Sequence, residues 1–253
     1  MEIKYTCSLG RVCQTSHLLK KNHLKKASYP FDWIHSNPEM ILHCLKDDFT
    51  VFLDKSNYVN LNEKICGHSY YHEKMFNHHN PLSNEEEYYY YVRTVKRFRR
   101  LLQRPEHKLF VMMNVNLDKM EDTQNMIEFN ESFSKYTKNY TLLVIYHVKE
   151  KKNYHKFTHH DNIDFLELHT PSESDGLLFK EEKDNDYLNE VFMKNYRFNL
   201  HDSTEKRSTF FDFFKHFIIF MILLVCFILF YRRYRTKVEP VYMYYYSPSY
   251  IDL

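Results

Sequence analysis

Residues 109–148 read LFVMMNVNLDKMEDTQNMIEFNESFSKYTKNYTLLVIYHV. Two unbroken apolar runs, Leu109 to Val115 and Thr141 to Val148, flank a stretch in which Met126, Phe129, Phe133 and Tyr136 recur at helical spacing. Successive side chains of a strand point to opposite faces, so a half-exposed strand alternates apolar with polar residues, whereas a continuous run has both faces covered. Buried strand, helix, buried strand is the pattern of a parallel sheet layered between helices. Ile163 to Leu168 adds a further strand. The expected fold class is therefore α/β: three layers, a mostly parallel sheet with flanking helices.

Working toward the N-terminus, Tyr88, Val92, Val95, Phe98 and Leu102 mark a helix that Ser83 or Asn84 can cap, with Glu85 to Glu87 in its first turn and Pro105 beyond its end. Its basic residues, Arg93, Lys96, Arg97, Arg99, Arg100 and Arg104, read as a solvated face that complements the helix dipole, in preference to a phosphate site. The segment from Lys55 to Asn80 has no clean periodicity and reads as a long His- and Tyr-rich connection. A short helix is expected from Pro38 to Cys44, capped by Ser36 or Asn37. The opening stretch reads as a strand from Ile3 to Cys7, a turn at Ser8-Leu9-Gly10 and a helix from Val12 to Leu24. Asp184 to Tyr196 looks like the last helix of the domain.

Beyond it the chain changes character. Phe217 to Tyr231, FIIFMILLVCFILFY, carries no charge, and Arg232, Arg233 and Arg235 follow at once. Extended back to residue 210, the run reaches the ~20 residues that a membrane-spanning helix needs. The expected organisation is an α/β domain over 1–198, a polar linker over 199–209, one C-terminal transmembrane helix over 210–231 and a Tyr-rich tail over 232–253. The first residues lack a basic stretch leading into an apolar one, and the cysteines are five, scattered and without C-x-x-C spacing. Together these favour a tail-anchored protein, held in a lipid membrane by 210–231, with its main domain in the cytosol.

Composition excludes several function classes. With 35 Lys and Arg against 33 Asp and Glu, the formal charge is +2, so no basic field is available to hold nucleic acid. Only three glycines occur, and neither a dinucleotide-binding nor a P-loop glycine pattern can be written with them. No cofactor is expected. Cys66, His68, His72, His78 and His79 carry metal-ligating groups, but their order matches no standard zinc site.

The chemistry that remains centres on Cys13. Ligands of open parallel sheets gather beyond the carboxyl ends of the strands, and the first strand runs straight into Ser8-Leu9-Gly10-Arg11-Val12-Cys13. A cysteine in the first turn of a helix meets unpaired amides and the positive dipole end, which lower a thiol's pKa and favour the nucleophilic thiolate. The alternative is a buried cysteine packed as a small hydrophobe.

Ser8-Leu9-Gly10-x-x-Cys13, followed by Tyr29-Pro30-Phe31-Asp32-Trp33-Ile34, Pro38-Glu39-Met40, Asn77-His78-His79-Asn80-Pro81-Leu82 and the helix from Tyr88 to Leu102, resembles a family of putative papain-like cysteine peptidases from bacteria and large DNA viruses. The resemblance spans roughly residues 3 to 150. It implies a Cys–His hydrolase acting on a protein or peptide substrate, with Cys13 as nucleophile and a histidine later in the chain as base. His79 or its neighbour His78 lies in the matched block, Asp32 is the candidate orienting carboxylate or else a turn residue, and His147 competes for the base at the end of its strand. Backbone amides from Gly10 to Cys13 are candidates for stabilising the oxyanion. Papain-like enzymes carry an antiparallel barrel, whereas the strand pattern here is that of a parallel sheet, so the label describes a residue pair more than a fold. The competing reading is a non-enzymatic, membrane-tethered interaction protein on the same α/β scaffold.

Overall fold

The two unbroken apolar runs lie side by side inside a five-stranded sheet, in a computed structural model that describes residues 2–120, 123–200, 218, 221 and 224–233. In chain order the elements begin with β1 (Glu2–Ile3), β2 (Tyr5–Gly10), α1 (Gln14–Lys21), α2 (Pro38–Lys46) and α3 (Thr50–Leu53). Three short strands follow, β3 (Tyr58–Asn60), β4 (Cys66–His68) and β5 (His72–Phe76), then the long helix α4 (Glu85–Leu102). The second half contains β6 (Lys108–Leu117), α5 (Gln124–Phe133), β7 (Tyr140–Lys149), β8 (Tyr154–His160), β9 (Ile163–Thr170), α6 (Glu182–Asn195) and β10 (Arg197–Phe198).

The large sheet has the order β2-β6-β7-β9-β8. Its first four strands are parallel, and β8 runs antiparallel at the edge. Phe110 pairs with Leu142 and Met112 with Val144 across β6 and β7, which fixes the faces. On one face Cys7, Leu9, Phe110, Met112, Leu142 and Val144 meet Phe98 of α4 and Phe129 and Phe133 of α5. On the other, Leu109, Val111, Met113, Leu143 and Ile145 meet Leu18 and Leu19 of α1 and Leu188, Val191 and Phe192 of α6. Each such side chain contributes about 1.5–3 kcal/mol through burial, so both faces are needed to hold the sheet. The α/β arrangement expected from the apolar runs fits.

Helix starts follow the side-chain caps. Asn37 accepts the Met40 amide at 2.7 Å ahead of Pro38, and Asn84 accepts the Glu86 amide at 2.9 Å at the start of α4. Of the basic residues on α4, Arg99 pairs with Asp48 and Arg97 donates to the Ser28 carbonyl, whereas Arg93 and Lys96 face solvent.

The segment over 55–80 is not the structureless connection that its sequence suggests. It forms a three-stranded antiparallel sheet in the order β3-β4-β5. Gly67 is required there, because a Cβ would lie 2.2 Å from the Glu73 carbonyl oxygen of the adjoining strand.

Residues 1–201 make one unit and 202–253 another. Of the second, residues 218, 221 and 224–233 are described, and they are helical. No helix among the described residues is long and apolar enough to cross a membrane. This overturns the transmembrane helix expected over 210–231, and with it the single-pass membrane localisation. Most of the expected linker over 199–209 and of the tail over 232–253 lies outside the described residues.

Candidate active site

The turn that ends β2 sets the position of Cys13. Gly10 and Arg11 both have positive φ, at 83° and 66°. Glycine is required at position 10, since a Cβ would lie 2.2 Å from Ser36 Oγ and 2.8 Å from the Phe31 carbonyl oxygen. Ser36 Oγ accepts the Arg11 amide at 2.9 Å and donates to the Leu9 carbonyl at 2.7 Å, while Ser8 Oγ accepts the Gly10 amide at 3.1 Å. The chain then turns into α1 with Cys13 as its half-buried N-cap residue, one position ahead of the first helical turn.

A second loop brings a histidine to it. After β5 the chain passes through Asn77-His78-His79 and is anchored by buried Asn80. The Asn80 amide nitrogen Nδ2 donates to Asn60 Oδ1 at 2.8 Å and to the Asn62 carbonyl at 2.6 Å, and its Oδ1 accepts the Leu82 and Ser83 amides. So held, the loop sets His78 Nε2 3.6 Å from Cys13 Sγ, across 65 positions of sequence. The edge of Trp33 backs the His78 ring, with centroids 6.4 Å apart and planes at 88°. His78 is otherwise exposed, and no hydrogen-bond partner for its Nδ1 occurs among the described residues.

The other sequence candidates are engaged elsewhere. His79 meets the Tyr91 hydroxyl through Nδ1 at 3.1 Å and stacks on Tyr90, and burial pulls its pKa down. Asp32 is 1% exposed and has no hydrogen bond or ion pair with a histidine among the described residues. It forms an ion pair with Lys25, and its Oδ2 accepts the Tyr29 amide at 2.7 Å. Lys25 Nζ in turn lies 5.9 Å above the Trp33 ring. The Pro30-to-Ile34 block thus reaches the site through Trp33, the chain's one tryptophan, which the sequence reading left without a role.

His147 is a core residue with both ring nitrogens satisfied. The Asn116 amide donates to Nδ1 at 3.1 Å, so Nε2 carries the proton and donates to Thr170 Oγ1 at 2.9 Å. Burial pushes its pKa down to about 4. A histidine lowered in the folded state binds its proton more readily when unfolded, so its contribution to stability is lost as pH falls from about 6.5 toward 4. We expect His147→Gln to remove about 2 kcal/mol of this acid sensitivity, measured as the difference between urea-unfolding free energies at pH 7 and pH 4.5 in the two proteins.

The electrostatics at Cys13 run against the expected activated thiolate. Burial, and then the negative charge of Asp32, push its thiol up to about 11. The helix cannot offset this: α1 has eight residues, and its first amide, that of Gln14, is already bonded to the Gly176 carbonyl at 2.8 Å. Against an ordinary thiol of pKa ~8.5, the thiolate fraction at pH 7 falls ~300-fold, and the higher nucleophilicity of the more basic sulfur recovers part of it. Iodoacetamide should therefore label Cys13 about twentyfold more slowly than an exposed model thiol at pH 7, with a rate that keeps rising to pH 10. A plateau near pH 6 to 7 would show an ion pair already formed.

Cys66, His68, His72, His78 and His79 do not converge. Cys66 Sγ donates to the Gly67 carbonyl, and His68 donates from Nε2 to the Val51 carbonyl while accepting the Tyr70 amide at Nδ1. No group of three or more potential metal ligands occurs among the described residues. A cleft of about 350 Å³, lined by Arg11 and Val12 just ahead of Cys13 in the chain but not by Cys13 or His78, opens between the β2 turn, the start of α2, the C-terminal end of β6 and the start of β5, with His35, Ser36, Met40, His72 and Met113 also on its walls.

A family model described as putative papain-like cysteine peptidase matches residues 4–150, more than half of the chain. The match takes in Cys13, Asp32, Trp33, His78, His79 and His147. No curated protein and no solved structure matches.

Proposed function

Because the chain belongs to the family of putative papain-like cysteine peptidases, we propose that it is a peptide hydrolase with Cys13 as nucleophile and His78 as base. The observation that carries this reading is the 3.6 Å approach of His78 Nε2 to Cys13 Sγ. A base must come within hydrogen-bond reach of the group that it deprotonates, and free-enzyme contacts of this kind tighten once substrate binds.

With the thiol raised to about 11, the sulfur rests protonated at neutral pH. Proton transfer then accompanies attack: His78 Nε2 takes the thiol proton as Sγ bonds to the acyl carbon, and the carbonyl oxygen becomes the oxyanion. Collapse expels the amine, which takes the proton from His78 and leaves an acyl-Cys13 thioester. Water attacks that thioester with His78 again as base, releasing the acid and restoring the thiol.

For the oxyanion, the Gly10, Arg11 and Gln14 amides are already committed to Ser8, Ser36 and Gly176. The Val12 and Cys13 amides are the donors left in this turn. Asp32 acts as a positioning residue: through Lys25 it braces Trp33, and Trp33 limits the swing of the His78 ring.

The raised thiol and the unoriented Nδ1 of His78 favour a second reading, a non-enzymatic interaction protein on the same scaffold. Incubating the full chain with a pool of internally quenched peptides separates the two. The hydrolase reading expects cleavage that vanishes in Cys13→Ala; cleavage unaffected by that substitution, or no cleavage and no acyl adduct on Cys13 by intact mass, refutes it.

A further inference from the structure

The cleft lined by Arg11 and Val12, the two residues that precede Cys13, has a consistent chemistry on its walls. Arg11 lies two residues before the nucleophile, and the rings of His35 and His72 lie 4.7 Å apart between centroids, tilted by 31°. No aspartate or glutamate is among the cleft's described lining residues, and Arg11 has no carboxylate partner among the described residues. Met40 and Met113 supply apolar wall between these polar groups. The volume, about 350 Å³, lies at the small end of the range typical of ligand pockets.

Backbone strain at Arg11 is a second, independent observation. Its φ of 66° lies in the left-handed region, where a non-glycine residue costs about 1–2 kcal/mol. Such strain persists where the surroundings impose it, and it concentrates at functional sites. Here Ser36 Oγ holds it by accepting the Arg11 amide at 2.9 Å, and Arg11 lines the cleft.

Resting on the hydrolase reading above, we propose that this cleft is a substrate subsite for an acidic side chain next to the scissile bond. Arg11 engages the carboxylate, and His35 and His72 donate hydrogen bonds beside it. A guanidinium presents paired N–H donors that match the two oxygens of a carboxylate. The methionine walls suit the methylene stem of a glutamate.

The test uses the full chain and three probes, the acyloxymethyl ketones of Ala-Ala-Glu, Ala-Ala-Gln and Ala-Ala-Lys, with covalent labelling of Cys13 followed by intact mass. The subsite predicts that the glutamate probe labels about ten- to a hundredfold faster than the glutamine probe, the worth of one charge-assisted hydrogen bond. Arg11→Gln should remove that preference, and Arg11→Glu should shift it toward the lysine probe. His35→Gln, outside the strained turn, should reduce it several-fold and serves if the Arg11 variants fail to fold. Equal labelling by the three probes in the unsubstituted chain overturns the subsite while leaving the hydrolase reading in place. A glutamate preference that survives Arg11→Gln overturns the assignment to Arg11. Labelling by iodoacetamide but by none of the peptide probes removes the hydrolase reading, and the subsite with it.

Discussion

Replacing Asp32 with alanine is expected to destabilise the chain by about 3–5 kcal/mol, the usual cost of removing one partner from a buried ion pair. The Lys25 side chain is 9% exposed and Asp32 1%, so neither charge is shared with bulk water. Alanine would leave the Lys25 ammonium with the Ala27 carbonyl, at 3.2 Å, and the Trp33 ring but no counter-charge, and would orphan the Tyr29 amide that Asp32 Oδ2 accepts at 2.7 Å. Urea unfolding at pH 7 measures the effect. A loss below 1 kcal/mol would mean that Lys25 escapes to solvent and that the pair carries no structural weight. Asp32→Asn is the informative companion: it removes the charge that helps raise the Cys13 thiol, so Cys13 alkylation should become faster at neutral pH wherever this variant still folds.

Substituting His78 by alanine is expected to lower Cys13-dependent hydrolysis by 10²–10⁴-fold, roughly the contribution of a positioned general base. The size follows from the resting protonation state. A thiol raised to about 11 supplies almost no thiolate at pH 7, so little background attack remains once the base is gone. His79→Ala should cost less than about tenfold in rate, because His79 is tied to Tyr91 and Tyr90 and contributes to packing instead. Comparing kcat for the two variants, each checked for folding by circular dichroism, decides between adjacent histidines. A larger loss in His79→Ala than in His78→Ala would reverse the assignment.

How much of this could be read beforehand depended on where each signal was stored. The runs from Leu109 to Val115 and from Thr141 to Val148 revealed buried strands because both of their faces are covered, and burial is written directly into side-chain type. The pairs Ser36-Asn37 and Ser83-Asn84 announced helix starts because a cap forms with backbone amides two or three positions ahead, and in each pair the asparagine makes it. By contrast, β3, β4 and β5 have three to five residues each, too few for periodicity to accumulate, and their pairing depends on the close approach at Gly67. The edge strand β8, YHKFTHH, is almost wholly exposed and carries no alternating pattern, as befits an edge protected by polar residues.

The site divides in the same way. Cys13 was visible because strand, turn and helix are local and a sheet's carboxyl edge is where ligands gather. Which of two adjacent histidines turns toward it was not, since that depends on Asn80 reaching Asn60 and Asn62 and on Tyr91 capturing His79. Asp32 was read as either an orienting carboxylate or a turn residue; it accepts the Tyr29 amide and is paired with Lys25, a partner seven positions earlier that no motif distinguishes. The thiol's raised pKa also escaped the sequence, because the helix-terminus argument counts amides without knowing that Gly176 occupies the first of them. The parallel strands of the large sheet leave the shared feature with papain-like enzymes at a proposed Cys–His pair, not at an antiparallel barrel.

The pairing of Cys13 with His78 is the claim on which the rest depends, and single-turnover acylation tests it most directly. Stopped-flow release of p-nitrophenolate from p-nitrophenyl acetate at pH 7 would be followed in the full chain, in Cys13→Ala and in His78→Ala, the last with and without added imidazole. The account predicts a burst that is absent in Cys13→Ala, slowed about a hundredfold or more in His78→Ala, and partly restored there by imidazole. A burst of unchanged rate in His78→Ala would contradict it.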